Sequence, residues 1–177
     1  EVAERIGFEV ASRVSSENSK MVLVAHAEHD PSLPIKVKVE VNTHETSPVL
    51  PLEDVSFSVD TAWFRGSAQV QTYETHELVA TKIRALFQRR KGRDLFDLWL
   101  ALSELQLDPR EILAVFAHYR PAGMSAAVAV RNLREKLGNS GFRRDLDPLL
   151  AVGVASAYDI DAAGEVVIRE IISQIDV

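Results

Sequence analysis

The sequence predicts an α+β fold, with a β-rich part over residues 1–75 followed by a helical domain over residues 76–177. Three observations carry this reading. Up to about residue 73 the chain runs in short alternating segments rich in β-branched residues, parted by Ser, Asn, Pro and Gly, which is the pattern of strands and turns. Beyond residue 76 the apolar residues recur at three- and four-residue spacings, the pattern of helices with one buried stripe. The charge also changes where the pattern does: between Lys82 and Arg93 stand six cations and no acid, in a chain of net charge −6. The expected architecture is a mixed sheet over residues 8–73, with the main helix packed on it and a helical bundle behind.

Residues 1–7 read as the end of an amphipathic helix through Val2, Ala3 and Ile6, stopped at Gly7. Phe8–Val14 and Lys20–Ala27 alternate around a Ser/Asn-rich turn and read as a hairpin. His26, Glu28, His29 and Asp30 offer metal-ligand chemistry, but they run into Pro31 and read as solvated residues at a strand end. Ile35–Asn42 is the clearest strand. Val37, Val39 and Val41 fall on the face expected to pack, and Lys36, Lys38, Glu40 and Asn42 on the other. After Pro48 and Pro51, the segments VSFSV and AQVQTY read as short strands around a turn, with Glu74 or Thr75 as the cap of the main helix.

The main helix starts near Glu77 and buries Leu78, Ile83, Leu86 and Phe87, with Gly92 placed to end it. A second helix follows at once, with Leu95, Leu98, Trp99 and Leu102 on its apolar face and Asp94 and Asp97 one turn apart. Further helices are expected over Pro109–Tyr119, Ser125–Leu137, Leu146 to about Ala157, and Ala162–Ile175. The late pairs Asp145/Asp147 and Asp159/Asp161 spell paired carboxylates. Neither follows a strand and a Gly-Ser turn, so both read as structural. Arg131, Arg134, Lys136, Arg143 and Arg144 read as exposed helix and loop charges.

Lys82, Ala85 and Arg89 share a helical face, presenting two cations beside a small residue with room for an anion, and Asp94 sits where a helix N-terminus favours a carboxylate. Such a pair of helices serves a nucleotide phosphate, or it is a structural ion-pair network; the residues alone leave both open. Composition narrows the choice. A 46% hydrophobic and 26% charged chain is that of a soluble globular domain, and no run is apolar enough to span a membrane. Without cysteine there are no disulfides or thiolate metal sites, which suits a reducing cytoplasm. The acidic balance speaks against broad nucleic-acid binding as the main activity, leaving only the local basic segment for such a partner.

The stretch ELVATKIRALFQRRKGRDLFDLW, with the upstream strand KVKVEVN, resembles the AbiEii-type toxin nucleotidyltransferases over about residues 20–105. The resemblance implies transfer of a nucleotide from a nucleoside triphosphate to an acceptor hydroxyl, such as that of a tRNA, with Mg2+ as cofactor and a cognate antitoxin among the partners. It assigns Lys82, with Arg89 and Arg93 in support and Lys38 nearby, to the triphosphate. Asp94 is assigned to act as a base or to orient the acceptor, and Glu40 to assist catalysis as a metal ligand. Asp97 is expected to pair with Arg93. The Gly-Ser turn and Asp-x-Asp pair that hold metal in this fold are not among the 177 residues. The expectation is therefore a C-terminal part, inactive alone, of a toxin–antitoxin or phage-defence enzyme. The alternatives are a noncatalytic module that binds RNA or a protein through the basic helix pair, and a structural domain with an ion-paired hairpin.

Overall fold

The computed structural model describes residues 9–14, 18–27, 29–42, 47–150 and 158–176. They fall into two compact units, Glu1–Ser47 and Pro48–Val177.

In the first unit, β1 (Glu9–Val14), β2 (Asn18–His26) and β3 (Pro34–Asn42) form an antiparallel sheet in the order β1-β2-β3. The hairpin predicted at its start is β1–β2. The register sets Lys20 opposite Glu40 and Val22 opposite Lys38. Alternation holds along β3, but the face carrying Ile35, Val37, Val39 and Val41, expected to pack, is exposed. The turn into β3 uses the polar cluster that reads in sequence as solvated: His26 Nδ1 lies 2.6 Å from the Pro31 carbonyl, and Asp30 accepts hydrogen bonds from the Ser32 N–H and hydroxyl. The expected helix end over residues 1–7, the turn at 15–17 and Glu28 lie outside the described residues.

The second unit opens with a hairpin of β4 (Glu53–Asp60) and β5 (Arg65–Thr72), antiparallel, with Val55 opposite Val70 and Phe57 opposite Ala68. The α+β class holds, but among the described residues the strands make two antiparallel sheets rather than one mixed sheet. Parallel neighbours need a crossover of about a dozen residues or more, and the paired strands are separated in sequence by fewer than that.

Helices α1 (Thr75–Gln88), α2 (Gly92–Ser103), α3 (Pro109–Tyr119), α4 (Ala126–Leu137), α5 (Ser140–Arg143) and α6 (Ile160–Glu170) follow, with a 3-10 turn at Ile172–Gln174. One apolar core joins them: Ala80, Ile83 and Leu86 of α1, Leu95 and Leu98 of α2, Ile112 and Phe116 of α3, Leu133 of α4, Phe142 of α5, Val167 of α6 and Ile171. Residues 144–149, where a helix is expected from Leu146, are turns; residues 151–157 are outside the described set.

Both ends of α1 are informative. Glu74 caps the start, its carboxylate accepting from the His76 N–H at 2.7 Å and from the Glu77 N–H. Glu77 itself is fully buried and accepts the backbone N–H of Val49 at 2.7 Å and of Leu50 at 2.9 Å, together with the Tyr119 hydroxyl. Burial pushes its carboxyl upward, but these donors outweigh it and hold the group below its ordinary value of 4.5. One carboxylate thus fastens the segment before β4 to α1 and α3. At the other end, α1 stops at Gln88, with Arg89 in extended conformation. Gly92 does not end α1, as the sequence suggests, but is the first residue of α2. The reason is steric: a Cβ at Gly92 would sit on the carbonyl oxygen of Phe142.

Glu77→Ala should therefore lower unfolding free energy by about 2–4 kcal/mol in urea titrations, since it strands the buried Tyr119 hydroxyl and two part-buried backbone N–H donors. Because its folded pKa is depressed, the Glu77 contribution is full above 4.5 and is lost as pH falls through the folded value, so Glu77→Gln should flatten the acid limb of a Tm-versus-pH curve. Gly92→Ala should cost about 1–3 kcal/mol by the same titration, because backbone must move to admit the methyl group.

Candidate functional site

The site grows from a short break between two helices. The three residues from Arg89 to Lys91 part α1 from α2, so side chains from the last turns of α1 meet those from the first turns of α2. Asp94, in the first turn of α2, is fully buried. Arg89 holds it through both oxygens, Nε to Oδ2 at 2.7 Å and Nη2 to Oδ1 at 2.6 Å. This fork-on-carboxylate geometry is the strong form of an ion pair, and it raises the Arg89 pKa above its ordinary value, chiefly through the hydrogen bonds to Asp94.

Lys82 approaches from two turns earlier on α1. Its Nζ lies 2.6 Å from Asp97 Oδ2 and 3.7 Å from Asp94 Oδ1, and both Lys82 and Asp97 are about one-third exposed. The sequence expectation paired Asp97 with Arg93; the structure gives Asp97 to Lys82 instead. Asp97 faces back across the helix junction to α1, whereas the Arg93 backbone N–H donates to Asp145 Oδ2 at 3.3 Å. Lys91 reaches the other Asp145 oxygen at 3.4 Å. Asp145 thus supplies the cap that Lys91, at the N-cap position of α2, does not make with its own side chain.

Lys82, Arg89 and Lys91 of the basic run each hold a carboxylate, so much of its charge is neutralised on the spot. Arg84 lies over the Tyr119 ring at 5.6 Å. The side chain of Arg93 makes no ion pair among the described residues. Beside Asp97, Tyr158 packs edge to face on Phe96 and Trp99, which are tilted against each other, with ring centroids 5.0–5.7 Å apart. Burial is the main cause that raises the Tyr158 pKa, and its hydroxyl has no hydrogen-bond partner among the described residues.

Glu40 and Lys38 lie in the first unit, on β3. Glu40 takes Lys20 Nζ at 2.9 Å and Lys38 Nζ at 3.0 Å, all three side chains being well exposed. The hydrogen bonds from Lys20 and then Lys38 hold its carboxyl below the ordinary range. A divalent cation wants several oxygen donors, and a lone carboxylate between two ammonium groups does not supply them. Among the described residues no group of three or more His, Asp or Glu gathers that could hold a metal ion. Of the late carboxylate pairs, Asp145 caps α2, Asp159 caps α6 and Asp161 forms a bidentate pair with Arg143 at 2.7 Å.

Lys136 is the residue of this region that the sequence does not point to. It reads there as an exposed charge, but it is buried on α4, and its ammonium donates to the carbonyls of Leu86 and of Phe87, the latter at 2.8 Å. Its partners stand about 50 positions away, and no local pattern marks such a contact.

Fold and site together define an α+β protein whose helix junction holds a lysine and an arginine against a buried aspartate. In comparison with known families, residues 1–164 match the family described as nucleotidyl transferase AbiEii toxin, type IV TA system, and the chain belongs to it. No curated protein and no solved structure matches the chain. No helix among the described residues is long and apolar enough to cross a membrane.

Asp94→Ala should destabilise the protein by about 3–5 kcal/mol, because it leaves Arg89 and Lys82 without their shared buried carboxylate. Asp97→Ala, which removes only a partly exposed partner, should cost no more than about 1 kcal/mol. Urea titration of the two variants checks both.

Proposed function

We propose that the α1–α2 junction is the nucleotide-handling part of a transferase that joins a nucleotide to an acceptor hydroxyl, with tRNA as the acceptor. In the reaction an acceptor oxygen bonds to the α-phosphorus of a nucleoside triphosphate, the α–β phosphoanhydride bond breaks and pyrophosphate leaves. Membership of the AbiEii family supplies the reaction class. The observation that carries the assignment to this site is the unequal holding of its cations: Arg89 is held on the buried Asp94 by two hydrogen bonds, while Lys82 rests on the partly exposed Asp97 and lies at 3.7 Å from Asp94.

A triphosphate would therefore draw Lys82 from Asp97 without disturbing the Arg89–Asp94 pair. Lys82 binds it as a point charge, and Arg93, with no ion-pair partner among the described residues, adds a second contact. Arg89 supports by fixing Asp94. With both Asp94 oxygens engaged by Arg89, orienting the acceptor suits that carboxylate better than accepting its proton. Lys38 and Glu40 are assigned by resemblance to the phosphates and to a metal, and since the described donors do not by themselves suit Mg2+, no step is drawn through it. The Gly-Ser and Asp-x-Asp motif is not among these residues. The reaction is accordingly proposed for the protein in which that motif is present, and these 177 residues alone are expected to be inactive. The setting is the cytoplasm, with an antitoxin as the controlling partner.

An RNA-binding module built on the basic run is the weaker reading, since three of its cations are already neutralised by Asp94, Asp97 and Asp145. The discriminating experiment follows nucleotide transfer to tRNA from labelled triphosphates by the protein bearing the Asp-x-Asp pair. Lys82→Ala should reduce transfer by about a hundredfold or more, as loss of a charge contact on the reacting phosphates does, while tRNA retention on a filter changes less than about threefold. Equal loss of transfer and retention would assign Lys82 to RNA binding instead.

A further inference from the structure

We propose that Lys136 is a positioning residue for the site: from α4 it closes the end of α1 and thereby sets the Arg89 guanidinium on Asp94. This rests on the transferase reading for its consequence in catalysis, but not for its structural content. A helix ends with carbonyls that have no partner within it. In α1 the Arg89 N–H takes the Ala85 carbonyl at 2.9 Å, and the next two, Leu86 and Phe87, are taken by the Lys136 ammonium. The last turn of α1 has no basic residue of its own. A cation from another helix therefore stands where the dipole favours one.

Arg89 is the next residue but one after Phe87, and its backbone is anchored in that same last turn. Its side chain must reach Asp94 from there with both nitrogens in line, a geometry that a shift of the turn would spoil. The described groups acting on Lys136 are few. Arg90, just beyond α1, repels its charge; Asp94 of α2 attracts it; from α5, Arg143 donates to the neighbouring Leu137 carbonyl but is bound to Asp161. Burial is the largest influence, and the Lys136 ammonium is lowered from 10.5 to about 8. Raising the pH through that value makes Lys136 neutral, which removes the charge from its hold on the end of α1 and leaves only weaker neutral N–H donors on the two carbonyls.

The test reads Arg89 directly. In the full chain, the Arg89 Nε–H resonance in a proton–nitrogen NMR spectrum should be slow to exchange near neutral pH, as its hydrogen bond to Asp94 requires. It should shift and lose protection with a midpoint near pH 8. Lys136→Met, which removes the donors as well as the charge, should show an Arg89 signal that no longer titrates and is displaced at least as far as the high-pH one, and Lys136→Arg, which keeps the donors and does not titrate, should hold the neutral-pH signal throughout. An Arg89 signal that ignores both pH and Lys136→Met would overturn the proposal and leave Lys136 a local cap. If Lys136→Met does not fold, the wild-type pH series decides alone, a flat signal counting against the idea.

In the transfer assay, Lys136→Met should lower kcat by about tenfold or more with KM for the triphosphate within about twofold, and Lys136→Arg should recover it, as misplacement of an orienting group predicts. Failure of the wild type to transfer would sink the transferase reading, whereas the Arg89 signal would still judge Lys136.

Discussion

The buried carboxylate of Asp94 is the constraint on which the helix junction depends. A carboxylate taken wholly out of water must be matched by opposite charge and by hydrogen bonds, or the fold loses several kcal/mol. Arg89 supplies both, and to do so it must leave α1 in extended conformation and turn back. This fixes where α1 stops. The start of α2 is fixed beside it, because Gly92 passes against the Phe142 carbonyl and Asp145 caps the Arg93 N–H. The break between the helices is thus specified from both sides, by charge within the hairpin and by backbone contact from α5 and the residues after it.

Membership of a nucleotidyl transferase toxin family gives this arrangement a chemical context. A group that handles polyphosphate needs a cation able to exchange partners, next to groups that do not move. The junction contains both kinds. Lys82 and Asp97 are each about one-third exposed and meet through a single contact, so release is easy; Asp94 is buried, and Arg89, itself half exposed, holds it through two hydrogen bonds, which resists exchange. The acidic chain also neutralises part of its own basic run, at Lys82, Arg89 and Lys91, and release of Lys82 from Asp97 would add to the positive charge of that segment.

Glu77 does for the start of α1 what Asp94 does for its end. It too is fully buried and fully engaged, here by the backbone of Val49 and Leu50 and the Tyr119 hydroxyl. A helix whose two ends are each fastened by a buried carboxylate has little freedom to slide. Lys82, lying between them on the same helix, inherits that rigidity. The three-stranded sheet of the first unit follows different rules: its β3 charges pair across the register, Lys20 to Glu40, and its apolar face is exposed.

Much of this was legible in the residues. Alternation gave β1–β2, β3 and the β4–β5 hairpin; three-four periodicity with Asp-Pro and Ser starts gave α3 and α4; and the local text from Glu77 to Trp99 pointed to Lys82, Arg89 and Asp94 as neighbours, since residues within a hairpin are close by connectivity. Periodicity is a local property, and these are local consequences. It did not reveal that Gly92 opens a helix, that Asp97 takes Lys82, or that the described strands pair antiparallel in two sheets. Nor did it show Lys136 buried and Asp145 capping α2, since their partners are about 50 residues away. Such contacts are decided by how the helices pack, because only burial turns a solvated lysine or aspartate into a group that must find a particular carbonyl, amide or ammonium.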